Sequence, residues 1–223
     1  MPHPILTPSS IASLRQILPR VRMEEHFPLA PHTTYRVGGA ARLALLPHTL
    51  QQAHEAVQAV LKQGLPFPTV VGGGSNLLVA DAGIPGPVLM LHELRGITPG
   101  EDSLEVLAGT PSDDVARAAL EEHLRGAEFL TALPGSIGGA AFMNARAFGA
   151  EMSTLLTESW SLDQTGTLHH DHHTPDEFSY KSSPFRHRGR TVLRVRLRLQ
   201  PGAPELIAER MESNRAHRAR NGE

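Results

Sequence analysis

The sequence predicts an α+β protein made of two lobes, and three observations predict it. Between residues 41 and 91 the pattern is strand, helix, strand, strand, which makes a compact lobe of mixed structure. Residues 191–199 alternate apolar side chains with arginines, as in an antiparallel sheet that has one face in water. The length of 223 residues is sufficient for one large domain or for two small lobes with a real core, and the second lobe begins where the first pattern ends.

The elements of the first lobe follow from apolar spacing and stop signals. Before it, a short helix has Ser9 or Ser10 as its cap and ends at Pro19. A second helix, over residues 49–63, carries one apolar face and ends at Gly64. Strands are predicted over residues 41–46, from residue 70, over 77–79 and over 87–91, with a turn over 81–86.

The second lobe begins near residue 100. Thr110 is predicted to cap a helix that runs to Arg125, with Pro111 at its first position and Asp113 as the acid of a variant capping box. Strands are predicted over residues 103–107, 155–162, 166–170 and 191–199. A last helix, over 204–220, has an apolar side formed by Leu206, Ile207 and Met211.

Composition excludes several functional classes. With 21 basic and 23 acidic residues, a formal net charge of -2, the chain lacks the basic footprint of a nucleic-acid partner. The absence of cysteine excludes disulfides, zinc–thiolate sites and thiol nucleophiles. No apolar run approaches the ~18 residues of a membrane span, and no signal segment opens the chain. We therefore expect a cytoplasmic protein with no nucleic-acid or membrane partner. A monomer is a separate expectation, which composition does not decide.

Three adjacent glycines, Gly72, Gly73 and Gly74, lie between two apolar runs. Such a segment loses much backbone entropy on ordering, which close approach to a ligand would justify, with amide N–H groups turned toward an anion. Ser75 and Asn76 add side-chain donors. A Rossmann fingerprint fails at its third glycine and a P-loop lacks its lysine. The segment predicts a loop that binds a phosphate, such as a cofactor diphosphate; a glycine-rich hairpin or bulge without ligand remains open.

A second small-residue loop contains Gly135, Ser136, Gly138 and Gly139. It allows backbone amides to face a flat ligand at van der Waals range, and a helix that starts near Ser136 would add its positive end. A purely structural loop packed on a helix is the alternative.

Two charged stretches are less specific. Lys181 lies among aromatic and hydroxyl residues, where it could hold an anion or stabilise developing negative charge; an ordinary surface lysine is the alternative. Residues 169–173 hold four histidines and an aspartate, but adjacent strand residues face opposite ways. We therefore predict a solvated hairpin loop there and no metal site.

In this order, the motifs resemble those of the UDP-N-acetylenolpyruvoylglucosamine reductase family of peptidoglycan synthesis. The resemblance rests on Thr33-Thr34-Tyr35-Arg36-Val37-Gly38-Gly39, on Gly72 to Val79, on Leu133-Pro134-Gly135-Ser136-Ile137-Gly138-Gly139, on Asn144 to Glu151 and on Phe178-Ser179-Tyr180-Lys181-Ser182-Ser183-Pro184-Phe185. The resemblance, in which the five motifs occur in the family's order, covers residues 33–199.

The resemblance implies an FAD-binding domain of the vanillyl-alcohol-oxidase type. NADPH would be the co-substrate, and the enolpyruvyl group of a UDP-sugar would be reduced to the lactyl ether of UDP-N-acetylmuramate. Residues 1–31 would form an N-terminal extension, 32–96 and 97–202 the two FAD-binding lobes, and 203–223 a helix leading to a substrate domain. The implied cofactor-binding residues are Gly72, Gly73, Gly74, Ser75, Asn76, Gly135, Ser136, Ile137, Gly138, Gly139 and Asn144, and the implied catalytic residue is Lys181.

Two departures from the family bear on activity. Lys181 stands where the family commonly has arginine, which keeps the charge but loses the bidentate fork. The family's third domain, which carries a serine proton donor and a glutamate, would follow the last helix, and no residue here is assigned to either role. A flavin-binding module without reductase activity, and a phosphate-binding or scaffold domain without flavin, are the alternative functions.

Overall fold

The computed structural model describes residues 6–221, in which two large β-sheets and two small two-stranded sheets are packed with helices. Within these residues, no helix is both long enough and apolar enough to cross a lipid bilayer. The elements in chain order are α1 (Pro8–Ile17), β1 (Arg22–Pro28), β2 (Ala40–Leu46), α2 (Leu50–Lys62), β3 (Thr69–Val71), β4 (Ile84–Met90), β5 (Ile97–Pro99), β6 (Ser103–Leu107), α3 (Ser112–Glu121), β7 (Leu124–Arg125), α4 (Ile137–Phe142), β8 (Arg146–Ala147), β9 (Ala150–Glu151), β10 (Leu156–Leu162), β11 (Leu168–His172), α5 (Pro184–His187), β12 (Thr191–Arg198), β13 (Gln200–Pro201) and α6 (Pro204–Asn221).

The first sheet has the order β1-β2-β4-β3. The strand β1 is antiparallel to β2, whereas β2 and β3 both run parallel to β4. Helix α2 connects β2 to β3 and begins at Thr49, whose side chain accepts a hydrogen bond from the Gln52 N–H. Its apolar face is buried, as its spacing predicts.

The second sheet is antiparallel throughout, in the order β11-β10-β12-β6-β5. The predicted alternation of β12 holds, since Val195 and Leu197 are buried while Arg198 is exposed. The two arginines nearer its start are not simply solvated. Arg194 and Arg196 both pair with Glu105 on β6, and Arg196 also pairs with Glu158 on β10.

A shared core joins the two sheets. Leu43, Leu45 and Leu89 of the first sheet belong to the same buried cluster as Leu162 and Leu193 of the second. Helix α2 lies in this cluster, and its His54 ring contacts the backbone oxygen of Gly166 at 3.1 Å. The predicted boundary between lobes at residue 96 stays a prediction, because apolar packing continues across it.

Three predictions in the first half of the chain were wrong. Thr7, not Ser9 or Ser10, caps α1, and its oxygen accepts the Ser10 N–H. The strand β1 was missed within the predicted extension, because only Phe27 of this edge strand is buried and its apolar pattern is weak. Residues 77–79 do not form a strand, since the chain leaves Gly74 at a φ of +67° and turns at residues 75–76.

Three further corrections concern the second half. Thr110 does not cap α3, because its hydroxyl is bonded to the backbone of Gly96. Asp113 does not complete a capping box, because its carboxylate accepts the Ala132 N–H. Helix α3 ends at Glu121, before the predicted end at Arg125. The histidines form strand β11 rather than a loop, two residues later than predicted, because the turn occupies Gly166 with a φ of +78°. In α6, Leu206 is 66% exposed, whereas Ile207 and Met211 are buried.

Asp163 holds the turn between β10 and β11. Its Oδ1 accepts bonds from the Thr165 N–H and hydroxyl and from the Thr167 N–H, at 2.8, 2.6 and 3.0 Å, and its Oδ2 lies 2.7 Å from the His169 ring nitrogen. The Thr165 hydroxyl, then His169 and the backbone donors, hold the pKa of Asp163 well below its ordinary value. Ionised Asp163 therefore stabilises the fold at neutral pH.

Replacing Asp163 with asparagine is expected to lower the free energy of unfolding by about 2 kcal/mol at pH 7. Because the folded-state pKa of Asp163 is depressed, its contribution is complete above the unfolded value of about 3.9 and is lost as pH falls through the lower folded value. Urea titrations at pH 7 and at pH 3 check this: the deficit should shrink at pH 3. An equal deficit at both values would contradict it, and exposed Asp81→Asn is the control.

Candidate cofactor site

A cavity of about 580 Å³ lies between the two sheets. It is lined from one side by the end of β3 and the loop that follows, and from the other by residues of α4 and β12. This volume is within the usual range for a small-molecule or cofactor pocket. All of the predicted cofactor residues except Gly135 and Ile137 line it, and so does Lys181.

The three glycines are required by contacts within the protein. A Cβ on Gly73 would lie 2.5 Å from the Cα of Gly135, and one on Gly72 would lie 2.7 Å from the Ser136 hydroxyl. Gly74 has a φ of +67°, and its Cβ would lie 1.9 Å from the His32 carbonyl oxygen. Close packing therefore explains Gly73, which lies against the second predicted loop, and Gly74, which lies against His32.

The same loop leaves donors available. Among residues 6–221, no protein acceptor receives the backbone N–H groups of residues 73–76, all of which line the cavity. Gly73 and Asn76 are exposed, and the Asn76 side-chain nitrogen lies 3.6 Å from the Met143 sulfur, its one hydrogen-bond partner in the described part of the chain. Successive free N–H groups in a turn form an anion-binding concavity. The loop can therefore hold a diphosphate.

In the second loop, fewer backbone N–H groups are free to bind a ligand than the sequence predicted. The N–H groups of Ile137 and Gly138 donate to the carbonyl oxygens of Thr110 and Ala108, both at 2.9 Å, so the first two donors of the short helix α4 already have partners. The Ile137 side chain is fully buried in the core. Within this loop, Gly139 is exposed and lines the cavity, and it offers a flat surface to a ring.

Ser136 provides the test of whether a polar cofactor fits. Its side chain is buried and lines the cavity, but its hydroxyl has no hydrogen-bond partner within the described residues. A buried hydroxyl without a partner costs about 1–3 kcal/mol. A cofactor with polar ring edges and a diphosphate, such as FAD, would satisfy both this hydroxyl and the free amides of the first loop. The residues present therefore fit FAD.

Lys181 is presented by a tight hairpin. Ser179 and Ser182 exchange two backbone hydrogen bonds of 3.1 Å, and Lys181 between them has a φ of +54°, in the left-handed region. This conformation costs a non-glycine residue about 1–2 kcal/mol, and such strain commonly occurs at functional sites. The Lys181 ammonium lies 5.5 Å from the ring centroid of Tyr180, which also lines the cavity.

Asn144 positions this hairpin. It is buried, with a φ of +44°; its amide nitrogen donates to the Ser179 carbonyl oxygen at 3.1 Å, and its amide oxygen accepts the Ser153 N–H at 2.9 Å. Because the amide nitrogen and the amide oxygen both bond to the protein, Asn144 affects the cavity indirectly, by positioning the Lys181 hairpin.

Replacing Asn144 with alanine is expected to lower the free energy of unfolding by about 2–3 kcal/mol, because the buried Ser153 N–H would lose its acceptor. Thermal or urea unfolding measures this. The exposed Asn76→Ala change is the control and should leave stability unchanged. An Asn144→Ala protein as stable as the control would contradict the assigned role.

The sequence reasoning missed three charged residues of the cavity, Arg146, Glu151 and Arg190. Arg190 is paired with Asp171, and Glu151 accepts a 2.5 Å bond from the Ser153 hydroxyl. Together with Lys181, the lining contains three cations and one carboxylate, a balance that suits a polyanionic ligand. Arg146 and Glu151 both lie in the motif that begins at Asn144, which was the available signal.

Known proteins match most of this chain. The profile of a family described as an FAD binding domain matches residues 41–171. A UDP-N-acetylenolpyruvoylglucosamine reductase of Bacillus cereus is 34% identical over 199 residues, which cover 89% of this chain. The chain spans 65% of the length of that relative.

Solved structures give the same result. The crystal structure of UDP-N-acetylenolpyruvylglucosamine reductase from Thermus caldophilus superposes with a TM-score of 0.72 at 32% identity, covering 90% of this chain and 70% of that one. A glucooligosaccharide oxidase from Acremonium strictum superposes with a TM-score of 0.65 at 16% identity, covering 86% of this chain and 43% of that one, which shows a shared fold. The predicted two-lobed FAD-binding fold of the vanillyl-alcohol-oxidase type is confirmed.

Proposed function

Because the chain belongs to the UDP-N-acetylenolpyruvoylglucosamine reductase family, we propose that it binds FAD between its sheets and serves the reduction of the enolpyruvyl group of UDP-N-acetylglucosamine enolpyruvate by NADPH. The observation that carries the proposal is the cavity lined by both glycine loops, with free backbone donors at residues 73–76 and an unpartnered Ser136 hydroxyl. The product would be UDP-N-acetylmuramate, a precursor of peptidoglycan.

The first loop would bind the cofactor diphosphate. Its glycines have no side chains that would block a phosphate from reaching the backbone N–H donors. Ser75 and Asn76 line the same part of the cavity. Across the cavity, the exposed face of Gly139 would lie against the flavin ring, and the Ser136 hydroxyl would pair with a polar ring edge. When bound, FAD supplies hydride transfer between NADPH and the substrate.

Lys181 would act on the substrate. Reduction of the enolpyruvyl double bond places negative charge on its carboxylate side, which a fixed cation stabilises. The strained hairpin holds Lys181 at the cavity edge, and Arg146 lines the same space with no ion pair to a described residue. Lys181 would therefore orient the substrate carboxylate and stabilise charge there, with Arg146 raising the positive potential.

A stepwise optical assay tests the proposal. The purified chain, incubated with FAD and desalted, should keep the yellow absorbance of oxidised flavin, which NADPH should bleach without oxygen. Added UDP-N-acetylglucosamine enolpyruvate should then speed NADPH oxidation. Retained flavin with no response to the UDP-sugar would instead support a flavin-binding module without reductase activity, and a colourless protein would support a scaffold domain.

Localisation and assembly follow as part of the same proposal. An enzyme that uses NADPH and a nucleotide sugar would work in the cytoplasm, and we expect it to be a monomer. Size-exclusion chromatography with light scattering measures the mass, which should be close to the 24.1 kDa of the chain plus one FAD.

A further inference from the structure

A histidine cluster lies on the second sheet, outside the cofactor cavity. Glu158 of β10 lies directly opposite His172 of the edge strand β11, and His170 lies two residues before His172 on the same strand. Residues two apart on a strand share a face. The three side chains therefore meet on one face of the sheet, although adjacent histidines of the run face opposite ways.

The ligand atoms of these three residues are close together. One nitrogen from each ring and one oxygen of Glu158 all lie within 4.8 Å of one another, and the His170 Nε2 is 2.7 Å from the Glu158 Oε2. In a tetrahedral site with bonds of about 2.0–2.1 Å, ligand atoms stand about 3.4 Å apart. Both histidines are exposed and Glu158 is buried, so small rotations of the two rings close the difference.

We propose that Glu158, His170 and His172 form a surface site for a divalent transition metal of the Zn²⁺, Ni²⁺ or Cu²⁺ class. Two imidazole nitrogens and one carboxylate oxygen are ligands that this class accepts, and three protein ligands leave a fourth position for water. The bound ion joins β11, the edge strand, to β10 and thereby stabilises the edge of the sheet.

The surroundings support the geometry and limit the affinity. The other oxygen of Glu158 is paired with Arg196, which fixes the orientation of the carboxylate. Trp160 stacks on His170 with ring centroids 4.3 Å apart and orients that ring. Arg194 lies 3.6 Å from the Trp160 centroid, so two guanidinium charges flank the cluster and oppose a dication. The site is therefore a moderate-affinity site.

The sequence contains one tryptophan, and it is Trp160. Cu²⁺ and Ni²⁺ quench indole fluorescence at short range, so the stacked Trp160 reports occupancy directly. The experiment titrates tag-free, metal-stripped protein at pH 7.5 with Cu²⁺ and Ni²⁺ by Trp160 fluorescence, and with Zn²⁺ by calorimetry. We expect saturable quenching and one Zn²⁺ per chain.

Two variants make the titration decisive. His172→Ala removes one ligand and should weaken Zn²⁺ binding at least about 100-fold, since even outer contacts of metal sites are worth 10–100-fold. His169→Gln changes the neighbouring histidine on the opposite face, which bonds Asp163, and should keep the wild-type affinity. Equal affinity of wild type and His172→Ala, an equal loss in His169→Gln, or no saturable binding by the wild type would each overturn the proposal.

Discussion

Gly73→Val is expected to weaken FAD binding by about 100-fold or more, equivalent to about 2.7 kcal/mol. A Cβ at this position meets the backbone of Gly135 at 2.5 Å and the Ser136 nitrogen at 2.7 Å, and backbone cannot rotate away. Valine would therefore separate the two loops and remove the aligned donors. Flavin retention after desalting and fluorescence titration with FAD measure the loss.

The matched control is Gly86→Ala. A Cβ on Gly86 would meet no atom of residues 6–221 within 4 Å, so FAD affinity and stability should stay at the wild-type level. Ser75→Ala should have a smaller effect than Gly73→Val, about 1 kcal/mol, because one hydroxyl is lost while the backbone stays in place. Equal FAD affinity in Gly73→Val and the wild type would show that the diphosphate lies elsewhere.

Lys181→Met is expected to lower kcat for reduction of the UDP-sugar by about 100-fold or more, the usual effect of removing one group that stabilises developing charge. FAD retention should not change, because the flavin contacts assigned above lie on the two glycine loops. Methionine is unbranched and flexible like lysine, slightly shorter, and uncharged. Stopped-flow reoxidation of the reduced flavin by the UDP-sugar isolates this step.

Lys181→Arg separates a charge role from a packing role. Arginine restores the cation and adds the fork that the family commonly uses, so reoxidation should equal or exceed the wild-type rate. Exposed Arg188→Met, which removes a cation away from the cavity, should leave the rate unchanged. A Lys181→Met protein that reoxidises at the wild-type rate would contradict the assigned role.

Elements with strong periodic burial could be predicted from the sequence. Helix α2 and strand β12 bury one complete face each, so their residue spacing records the fold. The strand β1 could not be found in this way, because its position at the sheet edge buries only Phe27. The apolar run at residues 77–79 predicted a strand that does not form, and its Leu78 is 74% exposed.

The position of the cavity was predictable from the two glycine loops, but the contacts inside it were not. Glycine spacing indicated both loops, and the cavity does lie between them. The sequence could not show that Gly73 packs on Gly135, or that the Asn144 amide bonds both the Ser179 carbonyl oxygen of the Lys181 hairpin and the Ser153 N–H. Those contacts join segments far apart in the chain, and only the packed structure determines them. The Glu158 cluster was not predicted for the same reason, because it depends on the pairing of two different strands.

The central claim is that main-chain nitrogens of residues 73–76 bind the FAD diphosphate. A crystal structure of the complex tests it most directly. We predict phosphate oxygens within about 2.7–3.2 Å of these nitrogens, with the Ser136 hydroxyl bonded to the cofactor. A bound FAD whose diphosphate lies against other residues, with this loop facing water, would contradict the account.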